Sequence, residues 1–194
     1  MSRFEGVVIG LSIAAGVAGL VYLYQKNVKR KGNRRTASRA ELYDGFIPPP
    51  LPETIVRLLK SARLCYLATQ DEGEPHLSLM RFTYYQAEEA IILTTRRNTK
   101  KFELMEASKH VAVLIHDFDE ESKGKTYSIT LNGWSDVLTP SSDDEVRYRA
   151  LHLENNLDYP QFIVGPDIAV ILIKVESARL CDVQDKVITW SAKK

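Results

Sequence analysis

RLCYLATQDEGEPHLSLMRF, residues 63–82, holds two strand-like runs folded about a turn. Residues 63–70 are apolar and rich in β-formers, DEGEP at 71–75 has the composition of a turn, and residues 76–85 read as a second strand. The pattern continues outward: residues 87–90 turn back into an apolar strand at 91–95, and HVAVLIH at 110–116 reads as a buried strand. DFDEESKGK at 117–125 is an acidic loop before a long strand over 126–138, bent at Gly133. Residues 168–175 form a last core strand, with 179–183 continuing it or starting another. Helices fit three places between these runs. Residues 53–62 carry Ile55, Leu58 and Leu59 on one face, with Thr54 near the cap. Residues 100–108 follow Thr99 as a cap and place Phe102, Leu104 and Met105 toward a core. Residues 141–156 carry Asp143, Asp144 and Glu145 near the N-terminus, where acids complement the helix dipole. Strands that follow one another without regular helical crossovers exclude a doubly wound parallel sheet. The expectation is a mainly β fold: a six-stranded antiparallel barrel with peripheral helices.

Ahead of this domain lies a different kind of sequence. Residues 6–24, GVVIGLSIAAGVAGLVYLY, contain no charge, and as a helix they would span about 28 Å, close to the hydrocarbon thickness of a bilayer. Tyr22 and Tyr24 end the run where aromatic rings favour the interface. Lys26, Lys29, Arg30, Lys31, Arg34, Arg35 and Arg39 follow with no acid among them, whereas only Arg3 precedes the run and Glu5 offsets it. A cleavable signal has its basic residues first, so this order fits a permanent single-pass anchor. The basic flank keeps residues 25–194 on the cytosolic side, at the mitochondrial outer membrane or the endoplasmic reticulum, with the mitochondrial inner membrane as a further option. The organisation is therefore an anchor over 1–25, a basic collar and Pro-rich linker over 26–52, and a domain over 53–194. From residue 40 onward 18 basic side chains face 24 acidic ones, a net of −6, which argues against a nucleic-acid-binding surface. Cys65 and Cys181 sit in apolar runs and read as reduced, buried thiols.

Common catalytic motifs are missing. His76, His110, His116 and His152 have no metal-ligand spacing, neither cysteine has a nearby Cys or His, and no metal is expected. GxSxG, GxxxxGK[ST] and GxGxxG do not occur. The informative stretch is IILTTRRNTKK, residues 91–101. A buried strand ends in Thr94 and Thr95, a loop carries Arg96 and Arg97, and a helix starts at Thr99 with Lys100 and Lys101 in its first turn. Basic residues there oppose the helix dipole. A phosphate held by free backbone N–H groups, a Thr hydroxyl and two ammonium groups would account for them. The plainer alternative is a solvated basic helix start.

CYLAT, the Gly-containing turn, PHLSLMRF, IILTT and the Thr-Lys-Lys ending, followed by a helix, VAVLI and a long strand with a central Gly, together resemble the pyridoxamine 5′-phosphate oxidase-like superfamily of flavin-binding split-barrel proteins. The resemblance covers roughly residues 53–183 and rests on the order and spacing of the motifs. It implies FMN as cofactor, with His76, Leu77, Ser78, Leu79, Met80 and Arg81 along the flavin ring and Thr94 and Thr95 toward the phosphate. Thr99, Lys100 and Lys101 would hold the phosphate itself. It also implies a homodimer with sites at the interface, to which Ser128, Asn132 and Trp134 are candidate contributors. The tail RLCDVQDKVITWSAKK carries Arg179 and Trp190 but lacks the family's Arg-x-His-like substrate element, so vitamin B6 oxidation itself is not implied. The leading expectation is an FMN-dependent oxidoreductase held at a membrane, its substrate unassigned. The alternatives are a non-catalytic scaffold or accessory subunit of a membrane complex, and the same groove holding a deazaflavin or haem.

Overall fold

The computed structural model describes residues 49–71, 73–117 and 126–192, all within the compact unit Gly45–Lys194. The expected anchor at 6–24 and the basic collar lie outside the described residues. Among the described residues no helix is long and apolar enough to cross a membrane.

The chain runs α1 (Glu53–Ser61), β1 (Leu64–Asp71), β2 (Glu74–Arg81), β3 (Thr83–Tyr85), β4 (Ala90–Arg96), α2 (Lys100–Ala107), β5 (His110–His116) and β6 (Tyr127–Val137). It ends with α3 (Asp143–Glu154), a 3-10 turn (Pro160–Phe162), β7 (Ile168–Asp182) and β8 (Val187–Ser191). Among the described residues the antiparallel β architecture and three α-helices match expectation, but the strand count does not: one sheet of eight strands replaces the six expected. Two strands account for the difference. The run over 76–85 is interrupted at Phe82 and yields β2 and β3. β8 is the other addition, while the segments at 168–175 and 179–183 are one 15-residue strand, the continuation that the sequence allows.

Strand order explains the shape. The sheet runs β2-β1-β5-β6-β7-β4-β3, so β2 and β3 stand at opposite ends although Phe82 alone separates them in the chain. One residue spans only about 3.5 Å. The sheet must therefore curl until its two ends meet, and Phe82 sits buried at that seam. β7 is long enough to take β4 along its first half and β8 along its second, while β6 runs along its other edge.

Alternation fixes the core. Cys65 and Leu67 of β1, Met80 of β2, Val111, Val113 and Ile115 of β5, and Ile129 and Leu131 of β6 point inward and are buried. β4 is buried on both faces, which its continuous apolar sequence anticipates. On one face Ala90 and Ile92, with Val170 and Leu172 of β7, pack against Tyr148 of α3. The residues before α1 are part of this assembly: Leu51 is buried with its N–H donating to Glu89 at 2.9 Å, and Trp190 Nε1 donates to the Pro49 carbonyl at 3.1 Å. Cys65 and Cys181 are unpaired, and burial pushes the Cys65 thiol up to about 12, which makes it a packing residue.

Candidate functional site

A cavity of about 390 Å³ opens at the seam where the sheet's two ends meet. Leu64, Leu79, Met80 and Arg81 line it from β1 and β2, and Thr94, Thr95 and Arg96 from the end of β4. Thr99 and Lys101 reach it from the start of α2, and His152, Tyr159, Phe162 and Ile163 close it from α3 and the 3-10 turn. The size and the mixture of apolar walls with a few polar groups suit a small organic ligand.

One end is built for an anion. The Thr99 hydroxyl does not cap α2; it donates to the Arg96 carbonyl at 2.8 Å and lies 3.2 Å from the Thr95 hydroxyl. The backbone amides of Lys100 and Lys101 thus have no side-chain cap. Lys101 is half-buried beside them, and burial lowers its pKa because an ammonium loses hydration there. It forms no ion pair among the described residues. An incompletely hydrated cation beside an uncapped helix start is stabilised by a bound anion such as a phosphate.

A further wall is organised by α3. Its inward face carries Glu145, Tyr148, Arg149, His152 and, just past its end, Asn156, a helical spacing made largely of polar groups. Arg149 holds the cavity wall in place: it pairs with Glu145 and donates to the carbonyls of Ile163 and, at 2.8 Å, of Ile168. Arg147 and the Tyr148 hydroxyl both donate to Glu88, which fastens the helix to the β3–β4 turn. Arg81 lies 3.7 Å over the Tyr159 ring and donates to Asn156 Oδ1 at 3.3 Å. His152 Nδ1 lies 2.9 Å from the Thr83 hydroxyl. Burial pushes the His152 pKa down to about 4, with Arg149 and Arg81 adding repulsion, so the ring is neutral at physiological pH.

The residues expected at a site divide as follows. Leu79, Met80, Arg81, Thr94, Thr95, Thr99 and Lys101 come together around the cavity. Lys100 points to solvent, and His76 and Ser78 bond each other at 3.1 Å on the inward side of β2, away from the lining. Leu77 and Ser128 lie on the outward face of the sheet. Tyr66, Leu114, Asn132 and Trp134 share that face, and Leu77 and Leu79 are 64% and 57% exposed. His152, Tyr159, Phe162 and Ile163 were not foreseen. A lone histidine on a polar helix has no spacing signal, but the 145–149–152–156 repeat of polar residues was there to be read.

Comparison with known proteins shows the family and the fold. The family model for pyridoxamine 5′-phosphate oxidase matches residues 51–182. A pyridoxamine 5′-phosphate oxidase homologue of Schizosaccharomyces pombe is 33% identical over 173 residues, covering 73% of this chain and 91% of that protein. Among solved structures, a haem-binding protein from Mycobacterium smegmatis superposes with a TM-score of 0.62 at 19% identity, covering 73% of this chain; the chain spans 59% of that protein. An FAD-binding protein from Mesorhizobium loti superposes with a TM-score of 0.54 at 18% identity, covering 66% of this chain and 89% of that one. With a family model matched across nearly all of the described residues and a full-length relative at one-third identity, the chain belongs to the pyridoxamine 5′-phosphate oxidase family.

Proposed function

We propose that this protein is a membrane-anchored, homodimeric flavoprotein that binds FMN in the seam cavity and uses it for oxidoreduction. The observation that carries the reading is the meeting, in one cavity, of the uncapped start of α2 and Lys101 with an apolar, aromatic wall and Arg81. These residues fit FMN: Lys101, Arg96 and the α2 amides would hold its phosphate, and Leu79, Met80, Tyr159 and Phe162 would line its ring. Flavin when bound supplies hydride or single-electron chemistry. The chain's own residues supply orientation and charge, with Arg81 able to favour an anionic form of a neighbouring ring system.

The exposed outward face supports assembly. Leu77, Leu79, Leu114 and Trp134 form an apolar patch on the sheet that a second copy would cover, bringing Ser128 and Asn132 of each protomer to the interface. One experiment reads cofactor and assembly together: the full-length protein in mild detergent is passed through a sizing column with light-scattering and absorbance detection. A dimer carrying flavin bands is expected. A monomer after FMN is supplied would overturn the assembly. A haem Soret band with no flavin uptake would overturn the cofactor in favour of the chemistry named for the Mycobacterium smegmatis structure.

The anchor reading rests on the uncharged run at 6–24 and its one-sided basic flank. Protease added to intact organelles should remove the domain from the cytosolic side; complete protection of residues 49–192 would reject an outer-membrane or endoplasmic reticulum orientation.

A further inference from the structure

Arg81 cannot accept a hydrogen bond, and that fact fixes the direction of a buried chain leading away from it. Its guanidinium donates to Asn156 Oδ1 at 3.3 Å, which turns the Asn156 amide nitrogen to the other side. There Nδ2 donates to the Thr83 hydroxyl oxygen at 3.2 Å and to the His152 carbonyl at 2.9 Å. The Thr83 hydroxyl finds no acceptor for its own proton among the described residues other than His152 Nδ1 at 2.9 Å, and Asn156 Nδ2, which can only donate, lies 3.4 Å from the same ring nitrogen. Nδ1 is therefore the acceptor, and the neutral ring carries its proton on Nε2. Thr83, Asn156 and His152 are all buried, His152 to 1% exposure, so water does not compete for these bonds. His152 nevertheless lines the cavity, and Nε2 makes no hydrogen bond among the described residues. An N–H that borders a cavity is satisfied by what enters it.

We propose that the Arg81–Asn156–Thr83 chain locks His152 as an Nε2–H donor and that this donor, with Arg81, recognises a carbonyl or carboxylate oxygen of a ligand at the α3 wall of the cavity. The inference rests on the cavity being a ligand site, as the FMN reading also holds, and deepens it by naming what that wall selects. Two sources can offer such an oxygen: the carbonyls of a flavin ring, or a small carboxylate substrate beside it. A ligand with only apolar or cationic groups at that wall would leave the N–H unmet and face Arg81 unfavourably.

Histidine-labelled full-length protein in mild detergent tests this by long-range proton–nitrogen NMR, which reports the tautomer of each imidazole; His152→Gln identifies the His152 signals. The expected result is Nε2–H at neutral pH, with its signal moved by riboflavin if the flavin ring supplies the oxygen, or by benzoate if a substrate carboxylate does. Affinity for the probe that moves the signal should fall roughly three- to tenfold in His152→Leu and stay within about threefold of wild type in His152→Gln, whose amide keeps a donor. An Nδ1–H tautomer would overturn the proposal, as would a signal that neither probe moves. Equal affinity in wild type and both variants would do the same. Riboflavin and benzoate carry no phosphate, so these outcomes are independent of whether the Lys101 end binds one.

Discussion

A Gly133→Ala protein is expected to unfold about 10 °C below wild type, a loss of about 3 kcal/mol for a domain of this size. A Cβ at Gly133 would lie 2.1 Å from the carbonyl oxygen of Lys174, 3.0 Å from its carbon and 3.3 Å from the Val175 Cα. All three are backbone atoms, so no side chain can swing aside to make room. The register between β6 and β7 shifts between Asn132 and Gly133, and this bulge brings the two longest strands together at the centre of the sheet. A methyl group there must separate the two central strands of the sheet. Gly73 supplies the comparison: it sits at φ 90° in the β1–β2 turn with nothing within 4 Å of a built Cβ. Gly73→Ala costs only backbone strain, about 1–2 kcal/mol. Thermal unfolding of both variants distinguishes the mechanisms. Equal melting points for the two would refute the close approach of β6 to β7.

Acid should cost the protein about 3 kcal/mol through one residue. The folded His152 pKa is pushed down to about 4, against about 6.5 in the unfolded chain, chiefly by burial. Above about pH 6.5 the ring is neutral in both states and its contribution to stability is complete. As pH falls toward 4 the unfolded chain binds a proton that the folded chain refuses, so stability declines by about 1.4 kcal/mol per pH unit. Below about 4 both states are protonated and this loss stops. Urea unfolding at pH 7 and pH 4.5 measures it, and His152→Gln, which cannot titrate, removes it from the comparison. The variant should lose markedly less stability than wild type over that range, because the proton uptake of His152 on unfolding is gone. Identical losses in the two proteins would show that His152 is protonated as easily when folded as when unfolded.

The parts of the fold that sequence conveyed are those where local pattern and tertiary role coincide. β5 was read with its observed ends because HVAVLIH alternates its burial and is bounded by polar residues on both sides. The β1–β2 hairpin was equally plain, since Gly73 and Pro75 mark the turn between two β-rich runs. Misreadings arose where tertiary pairing overrides local composition. Glu176, Ser177 and Arg179 break the apolar run of β7, yet the strand continues because β6 on one edge and β8 on the other satisfy its backbone. β8 itself is five residues, mostly exposed, and exists only as a partner for β7. At the site, Thr95, Thr99 and Lys101 were legible because a basic helix start calls for an explanation. The other wall was not, because α3 turns charged and amide side chains inward, where their mutual bonds offset desolvation, and a periodicity search for apolar residues passes over such a face. Lys100 and Lys101 look equivalent in sequence, but consecutive residues in a helix point in different directions, and only Lys101 reaches the cavity.

That asymmetry gives the most direct test of phosphate recognition. FMN and riboflavin are titrated by fluorescence into full-length wild-type protein, Lys101→Ala and Lys100→Ala. A bond from an ammonium to a phosphate contributes about 1.5–3 kcal/mol, so Lys101→Ala is expected to weaken FMN by roughly 10- to 100-fold. Lys100→Ala should change it by less than about threefold, as an exposed charge near a binding site does. Riboflavin should bind wild type more weakly than FMN and be indifferent to both substitutions. If FMN and riboflavin bind wild type equally, or if Lys101→Ala weakens both alike, the cavity does not hold its ligand by a phosphate at the start of α2.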